Sequence, residues 1–125
     1  LVRTLCRECN QPYHPDRSEY EQLVREYGPA EFEKHLNIPY SENLQLFAPK
    51  GCQVCNNTGY RGRMGIHELL LASDEIKQLI QNRAMMSQIR DQAVDEGMTT
   101  LKQDGISKVF AGYCDLLEVR KVCIR

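Results

Sequence analysis

Cys52-Gln53-Val54-Cys55-Asn56 repeats a spacing already present at Cys6-Arg7-Glu8-Cys9-Asn10, and these two short stretches decide how the chain folds. A Cys-x-x-Cys turn presents two sulfurs from one tight loop. Two such turns facing each other bring four thiolates around one point, the tetrahedral set that zinc prefers. The reading is therefore a single tetrathiolate metal site made by Cys6, Cys9, Cys52 and Cys55, with structural zinc as its ion. Iron accepts the same four sulfurs and stays open as the alternative. Four protein ligands leave no position for water, so the expected contribution is folding free energy and not catalysis. The backbone leaving such a turn favours a residue that tolerates the left-handed conformation, and Asn10 and Asn56 stand at that position.

Working outward, 42 residues separate Cys9 from Cys52, against roughly 15–20 in a simple zinc ribbon. Pro12, Pro15, Pro29, Pro39 and Pro49 break this stretch into short elements. Helices are expected over Ser18–Tyr27 and Pro29–Leu36, looping out from the metal, and a short strand over Leu44–Phe47. After the second cysteine pair, Arg63–Leu71 reads as a strand. Beyond Ser73, an N-cap, the apolar spacing turns helical: Ile76, Leu79 and Ile80 mark one face, and a second helix runs from about Ser87 to Glu96 and stops at Gly97. Thr100 with Gln103, and Asp115 with Glu118, have the capping-box spacing and open two more helices. The fold class is α+β, mostly α. A zinc-ribbon-like tetracysteine lobe with a helical insertion occupies residues 1–62, and a short strand with a small C-terminal helical bundle occupies 63–125.

Composition narrows the function. A formal net charge of -1 on 125 residues gives no basic field for nucleic acid, and no apolar run reaches the roughly 18–20 residues of a membrane span. The chain reads as soluble and cytosolic. A secreted disulfide scaffold would also use six cysteines, but the doubled spacing favours metal. A redox Cys-x-x-Cys would need a βαβ setting that is absent here. Cys114 and Cys123 sit beside apolar residues and read as small hydrophobes. His14 is a substitute ligand that four cysteines make unnecessary. His35 reads as a surface residue, and Asp74-Glu75 and Asp95-Glu96 read as helix-capping or solvated carboxylates. His67-Glu68 lacks the second histidine of a metalloprotease helix, because position 71 is Leu71. There is no Gly-x-x-x-x-Gly-Lys-Ser/Thr, no Gly-x-Gly-x-x-Gly and no nucleophile elbow, so no catalytic residue is assigned.

The run Gly51-Cys52-Gln53-Val54-Cys55-Asn56-Asn57-Thr58-Gly59-Tyr60-Arg61-Gly62-Arg63-Met64-Gly65-Ile66-His67-Glu68-Leu69-Leu70 resembles the C-terminal part of the hexameric ATPases of type II secretion and type IV pilus assembly. The likeness extends to Leu1-Val2-Arg3-Thr4-Leu5-Cys6-Arg7-Glu8-Cys9 upstream, and downstream to Glu96-Gly97-Met98-Thr99-Thr100-Leu101 with Asp104-Gly105. The resemblance implies a cytoplasmic, homo-hexameric parent ATPase, peripherally attached to the bacterial inner membrane. That parent would drive an inner-membrane platform, with cytoplasmic adaptor proteins as further partners. ATP and Mg would belong to the parent, upstream of Leu1. This chain would supply the metal set Cys6, Cys9, Cys52 and Cys55 as a non-catalytic module, in either the secretion or the pilus branch. A stand-alone zinc-ribbon adaptor or nucleic-acid-binding module is the alternative. Arg61 and Arg63, between Gly59, Gly62 and Gly65, are expected to lie in a turn or to make an ion pair across a subdomain or subunit boundary.

Overall fold

Val2 and Leu5 are buried while Arg3 between them is exposed, and this four-residue stretch forms strand β1 (Val2–Leu5). In the computed structural model, which describes residues 1–123, β1 pairs antiparallel with β4 (Tyr60–Met64), in the register Val2↔Met64, Arg3↔Arg63 and Leu5↔Tyr60. The register slips between Arg3 and Leu5. Gly62 accommodates the slip with a φ of +88°, and Thr4 Oγ1 lies 3.1 Å from where its side chain would begin. A second antiparallel pair joins β2 (Gln11–Tyr13) to β3 (Leu46–Ala48).

Between those strands run α1 (Arg17–Tyr27) and α2 (Pro29–His35). Asp16 caps α1 by accepting the Glu19 N–H at 2.7 Å, and Gly28 ends it at a φ of +109°, after which Pro29 fixes the first turn of α2. The insertion does not loop out into solvent. Phe32 packs its ring 5.7 Å from Tyr27 and 5.4 Å from Phe110 of α5 (Leu101–Phe110), and Tyr20 lies 5.3 Å from Tyr40. Gln103 Nε2 donates to Tyr27 O at 2.8 Å, and Glu26 accepts Lys102 and Arg120 at 3.1 and 2.7 Å. Aromatic area of this kind is among the largest apolar contributions a short segment makes, and it draws the inserted helices onto the C-terminal ones.

The last helix, α6 (Leu116–Val122), is capped by Asp115, whose Oδ1 accepts the Glu118 N–H at 3.1 Å. It lies against α5 through Gly105: a methyl group there would sit 2.6 Å from Val119 Cγ1, and Val119 is fully buried. Gly105→Ala is therefore expected to destabilise the chain by about 1–2 kcal/mol although alanine is the better helix former, because overpacking outweighs the propensity gain. Urea titration of Gly105→Ala, Val119→Ala and the double variant checks this. The second substitution should recover stability relative to additivity.

Leu1–Ile66 and the chain from Lys102 onward form one compact unit, and His67–Leu101 forms another. In the second, Ser73 Oγ accepts the Ile76 N–H at 3.2 Å and opens α3 (Asp74–Gln81) as expected. Arg83, at a φ of +56°, turns the chain into α4 (Met86–Asp95), which ends before Gly97 at a φ of +103°. Ile76 and Ala93 are its buried side chains.

The α+β class holds, with six helices and two small sheets among the described residues. Two expectations are corrected. The strand read over Arg63–Leu71 covers Tyr60–Met64, and Leu69, Leu70 and Leu71 are in no strand and are exposed. The helices read as one C-terminal bundle fall in two units, with α3 and α4 in one and α5 and α6 in the other. The reason is tertiary: β4 pairs with the amino-terminal strand, and α6 is fastened to that same strand.

Candidate metal centre

β1 runs directly into Cys6, whose N–H donates to Gly59 O at 2.9 Å, so the first cysteine pair is anchored beside the exit of the second. The first turn closes when the Asn10 N–H reaches Cys6 O at 3.0 Å. Asn10 is not in the left-handed region, contrary to expectation, because this bond completes the reversal and the chain continues straight into β2. The second turn matches the expectation, with Asn56 at a φ of +56° and Asn57 at +62°. Asn57 N–H closes on Cys52 O at 2.7 Å, and Thr58 Oγ1 donates to Cys55 O at 2.7 Å.

These turns bring the four cysteines together. Cys6 Sγ lies 3.8 Å from Cys52 Sγ, Cys9 Sγ 3.8 Å from Cys55 Sγ, and Cys52 Sγ 3.7 Å from Cys55 Sγ. All four sulfurs fall within 4.8 Å of one another. A tetrahedron whose corners lie about 2.3 Å from a central ion has edges of about 3.8 Å, so the spacing fits a zinc-sized ion held by sulfur. Neither disulfide geometry nor packing alone calls for it, since disulfide sulfurs sit about 2.0 Å apart and none of the four is so bonded.

The surroundings favour negative charge on sulfur. Cys9 Sγ accepts the Gly51 N–H at 3.3 Å, and Cys55 Sγ accepts those of Cys52 and Gly59 at 3.3 and 3.2 Å. Burial opposes ionisation of Cys55, but the Gly59 and Cys52 N–H groups and the neighbouring thiols hold it down to about 6. Cys9 is pushed up to about 11, first by burial and then by the adjacent sulfurs, against the Gly51 N–H. Backbone N–H groups thus favour the thiolate at both Cys9 and Cys55, against the burial that opposes it. Four thiolates this close repel one another unless a cation sits among them.

The other residues singled out by sequence lie elsewhere. His14 is held by its two ring nitrogens, Nδ1 3.0 Å from Leu44 O and Nε2 2.9 Å from Tyr40 Oη, and is not in the sulfur cluster. Cys114 is buried among core residues, its thiol pushed up to about 12 by burial, and neither it nor Cys123 belongs to the cluster. His35 is half-buried, with Nδ1 2.9 Å from Tyr27 Oη. Glu68 Oε1 accepts the Leu101 N–H at 3.2 Å in the unit that carries α3 and α4.

Sequence reasoning missed the fastening of the two ends of the chain. Glu118 of α6 accepts the Arg3 backbone N–H at 3.2 Å and Arg3 Nε and Nη2 at 3.0 Å each, and Lys121 Nζ lies 3.1 Å from its Oε2. Arg3 also covers the Tyr60 ring at 4.2 Å, and Tyr60 Oη donates to Asp115 Oδ2 at 2.6 Å. No local spacing could have announced contacts between residues 115 positions apart.

Residues 1–121 match the family described as type II/IV secretion system protein. The type II secretion system ATPase E of Vibrio cholerae serotype O1 is 36% identical over 122 residues, which are 98% of this chain and 22% of that protein. The type II secretion system protein E of Pectobacterium carotovorum subsp. carotovorum is 38% identical over 122 residues, 98% of this chain and 21% of that protein. The type IV pilus assembly ATPase PilB of Thermus thermophilus is 35% identical over 119 residues, 95% of this chain and 12% of that protein. The chain thus spans about a fifth or less of the length of these relatives.

Proposed function

This chain belongs to the type II/IV secretion system protein family, and from that premise we propose that it is a non-catalytic, zinc-binding module of a hexameric ATPase that powers type II secretion or type IV pilus extension. The observation that carries the reading is the tetrahedral spacing of the sulfurs of Cys6, Cys9, Cys52 and Cys55. Zinc held there supplies a cross-link between two loops and no Lewis-acid position, because its four sites are filled by protein. The ribbon-like lobe then gives the parent a rigid element whose shape is set by metal. ATP and Mg bind elsewhere in the parent, since this sequence carries no phosphate-binding loop.

The same reading places the parent in the cytoplasm at the inner membrane, against a platform and cytoplasmic adaptor proteins. No described helix is long and apolar enough to cross a membrane. Two measurements test the proposal. Elemental mass spectrometry of the purified chain should find about one zinc per chain. A phosphate-release assay should find ATP hydrolysis in the full-length protein and none in this chain. Turnover of ATP by the chain alone, or a folded chain without metal, would overturn it.

A further inference from the structure

His14 follows β2 directly, and its ring reaches across to the chain that leads into β3. Nδ1 lies 3.0 Å from Leu44 O and Nε2 2.9 Å from Tyr40 Oη, while the same hydroxyl donates to Pro15 O at 2.9 Å. A neutral ring cannot make its share of all three bonds. A carbonyl oxygen only accepts, so Nδ1 must carry a proton to bond Leu44. Tyr40 has one hydroxyl proton; with that proton on Pro15 O, its oxygen can only accept from Nε2, which must then carry a proton too. The imidazolium satisfies every partner, whereas the neutral ring has one proton and gives up one bond.

Burial decides which bond is lost. Pro15 is fully buried, and among the described residues Tyr40 is the one donor to its carbonyl, so leaving that oxygen unpaired is costly. The bond between His14 and Leu44 is exposed, and water replaces it. We propose that His14 is a proton-controlled clasp: the imidazolium ties Leu44 to the end of β2, and the neutral ring, with its proton on Nε2, lets Leu44 go. Imidazole changes charge between about pH 5 and pH 8, so the clasp closes on mild acidification. It extends the β2–β3 ladder by one link beyond the pair Tyr13↔Leu46, and it holds the end of the turn in which the Leu44 N–H bonds Ser41 O at 3.2 Å. The charged groups beside it are both at the start of α1: Arg17, 4.9 Å from the centre of the Tyr40 ring, and Asp16, whose carboxylate caps the helix.

Nuclear magnetic resonance of the metal-loaded chain from about pH 8 to about pH 5 tests this. The Gln45 amide nitrogen shares a peptide unit with the Leu44 carbonyl and so reports whether that carbonyl accepts a hydrogen bond. In the wild type its shift should follow the titration of the His14 ring, and the neutral ring should carry its proton on Nε2. Tyr40→Phe removes the oxygen that holds that proton but keeps an aromatic ring beside Tyr20, which lies 5.3 Å away. In that variant the neutral ring should carry its proton on Nδ1 and stay on Leu44, so the Gln45 response should fall by about half or more. The two wild-type observations decide the matter by themselves should the variant not fold. Three results would each overturn the proposal. They are a wild-type neutral ring protonated on Nδ1, a Gln45 shift that ignores the His14 titration, and a Gln45 response as large in folded Tyr40→Phe as in the wild type.

Discussion

Cys55→Ser, or exhaustive chelation of the metal-loaded chain, is expected to abolish the cooperative unfolding transition of the cysteine lobe. Cys55 Sγ sits on two of the close sulfur–sulfur edges and accepts two backbone N–H groups, so replacing it removes a ligand and leaves those donors around a harder atom. The sulfur cluster closes one end of the β1–β4 ladder, since Cys6 follows Leu5 directly and bonds to Gly59 just before Tyr60. Apparent binding energies of about 10–16 kcal/mol for structural zinc equal or exceed the roughly 5–15 kcal/mol by which a whole domain is stable. Loss of the ion therefore removes more than the remaining contacts supply. Far-UV circular dichroism with thermal melting, and elemental analysis of the same samples, should show metal and transition lost together. Cys114→Ala, a buried cysteine outside the cluster, should keep both and cost about 1 kcal/mol. A chelated chain with an unchanged transition would make the four cysteines packing or redox groups.

The cysteine cluster was legible because its information is local. Spacing fixes two sulfurs per turn, and the chemistry of sulfur and zinc limits what two turns can do together. Asn56 followed for the same reason, whereas Asn10 did not, since one hydrogen bond to Cys6 replaced the left-handed residue. The helix ends were legible at Ser73, Gly97 and Asp115, where a side-chain oxygen or a missing Cβ acts within a few residues. The strands were harder. Val2–Leu5 is too short to show a clear alternation, and Ile66-His67-Glu68-Leu69-Leu70-Leu71 looks like strand although its leucines are exposed. The position of the insertion could not be read, since it depends on rings such as Phe32 and Phe110 meeting across most of the chain.

That dependence on distant partners is sharpest at Glu118. Its side chain is 5% exposed and holds four donors: the Arg3 backbone N–H, two arms of the Arg3 guanidinium, and Lys121. Glu118→Gln keeps the shape but removes the charge. It turns one acceptor oxygen into a donor facing other donors, and is expected to destabilise the chain by about 2–3 kcal/mol at pH 7. Arg3 hydrogen bonding, against the opposing effect of burial and with Lys121 adding to it, holds the Glu118 carboxyl down to about 2 from its ordinary 4.5. A depressed folded-state value means that the carboxylate stabilises the fold above about pH 4.5 and loses that contribution as pH falls toward 2. Unfolding free energies of the two metal-loaded proteins should thus differ by a constant amount from pH 8 down to about 5 and converge below 4.5. Thiolate protonation also destabilises both proteins in that range, and it cancels in the difference. Equal stabilities at pH 7 would mean that α6 is held by Val119 and its apolar neighbours alone. A gap that widened on acidification would mean that Glu118 is protonated in the fold and acts as a donor. Either result would leave the joining of the amino-terminal strand to the last helix without its electrostatic cause, and the pairing of Arg3 with Glu118 would then be a consequence of that packing.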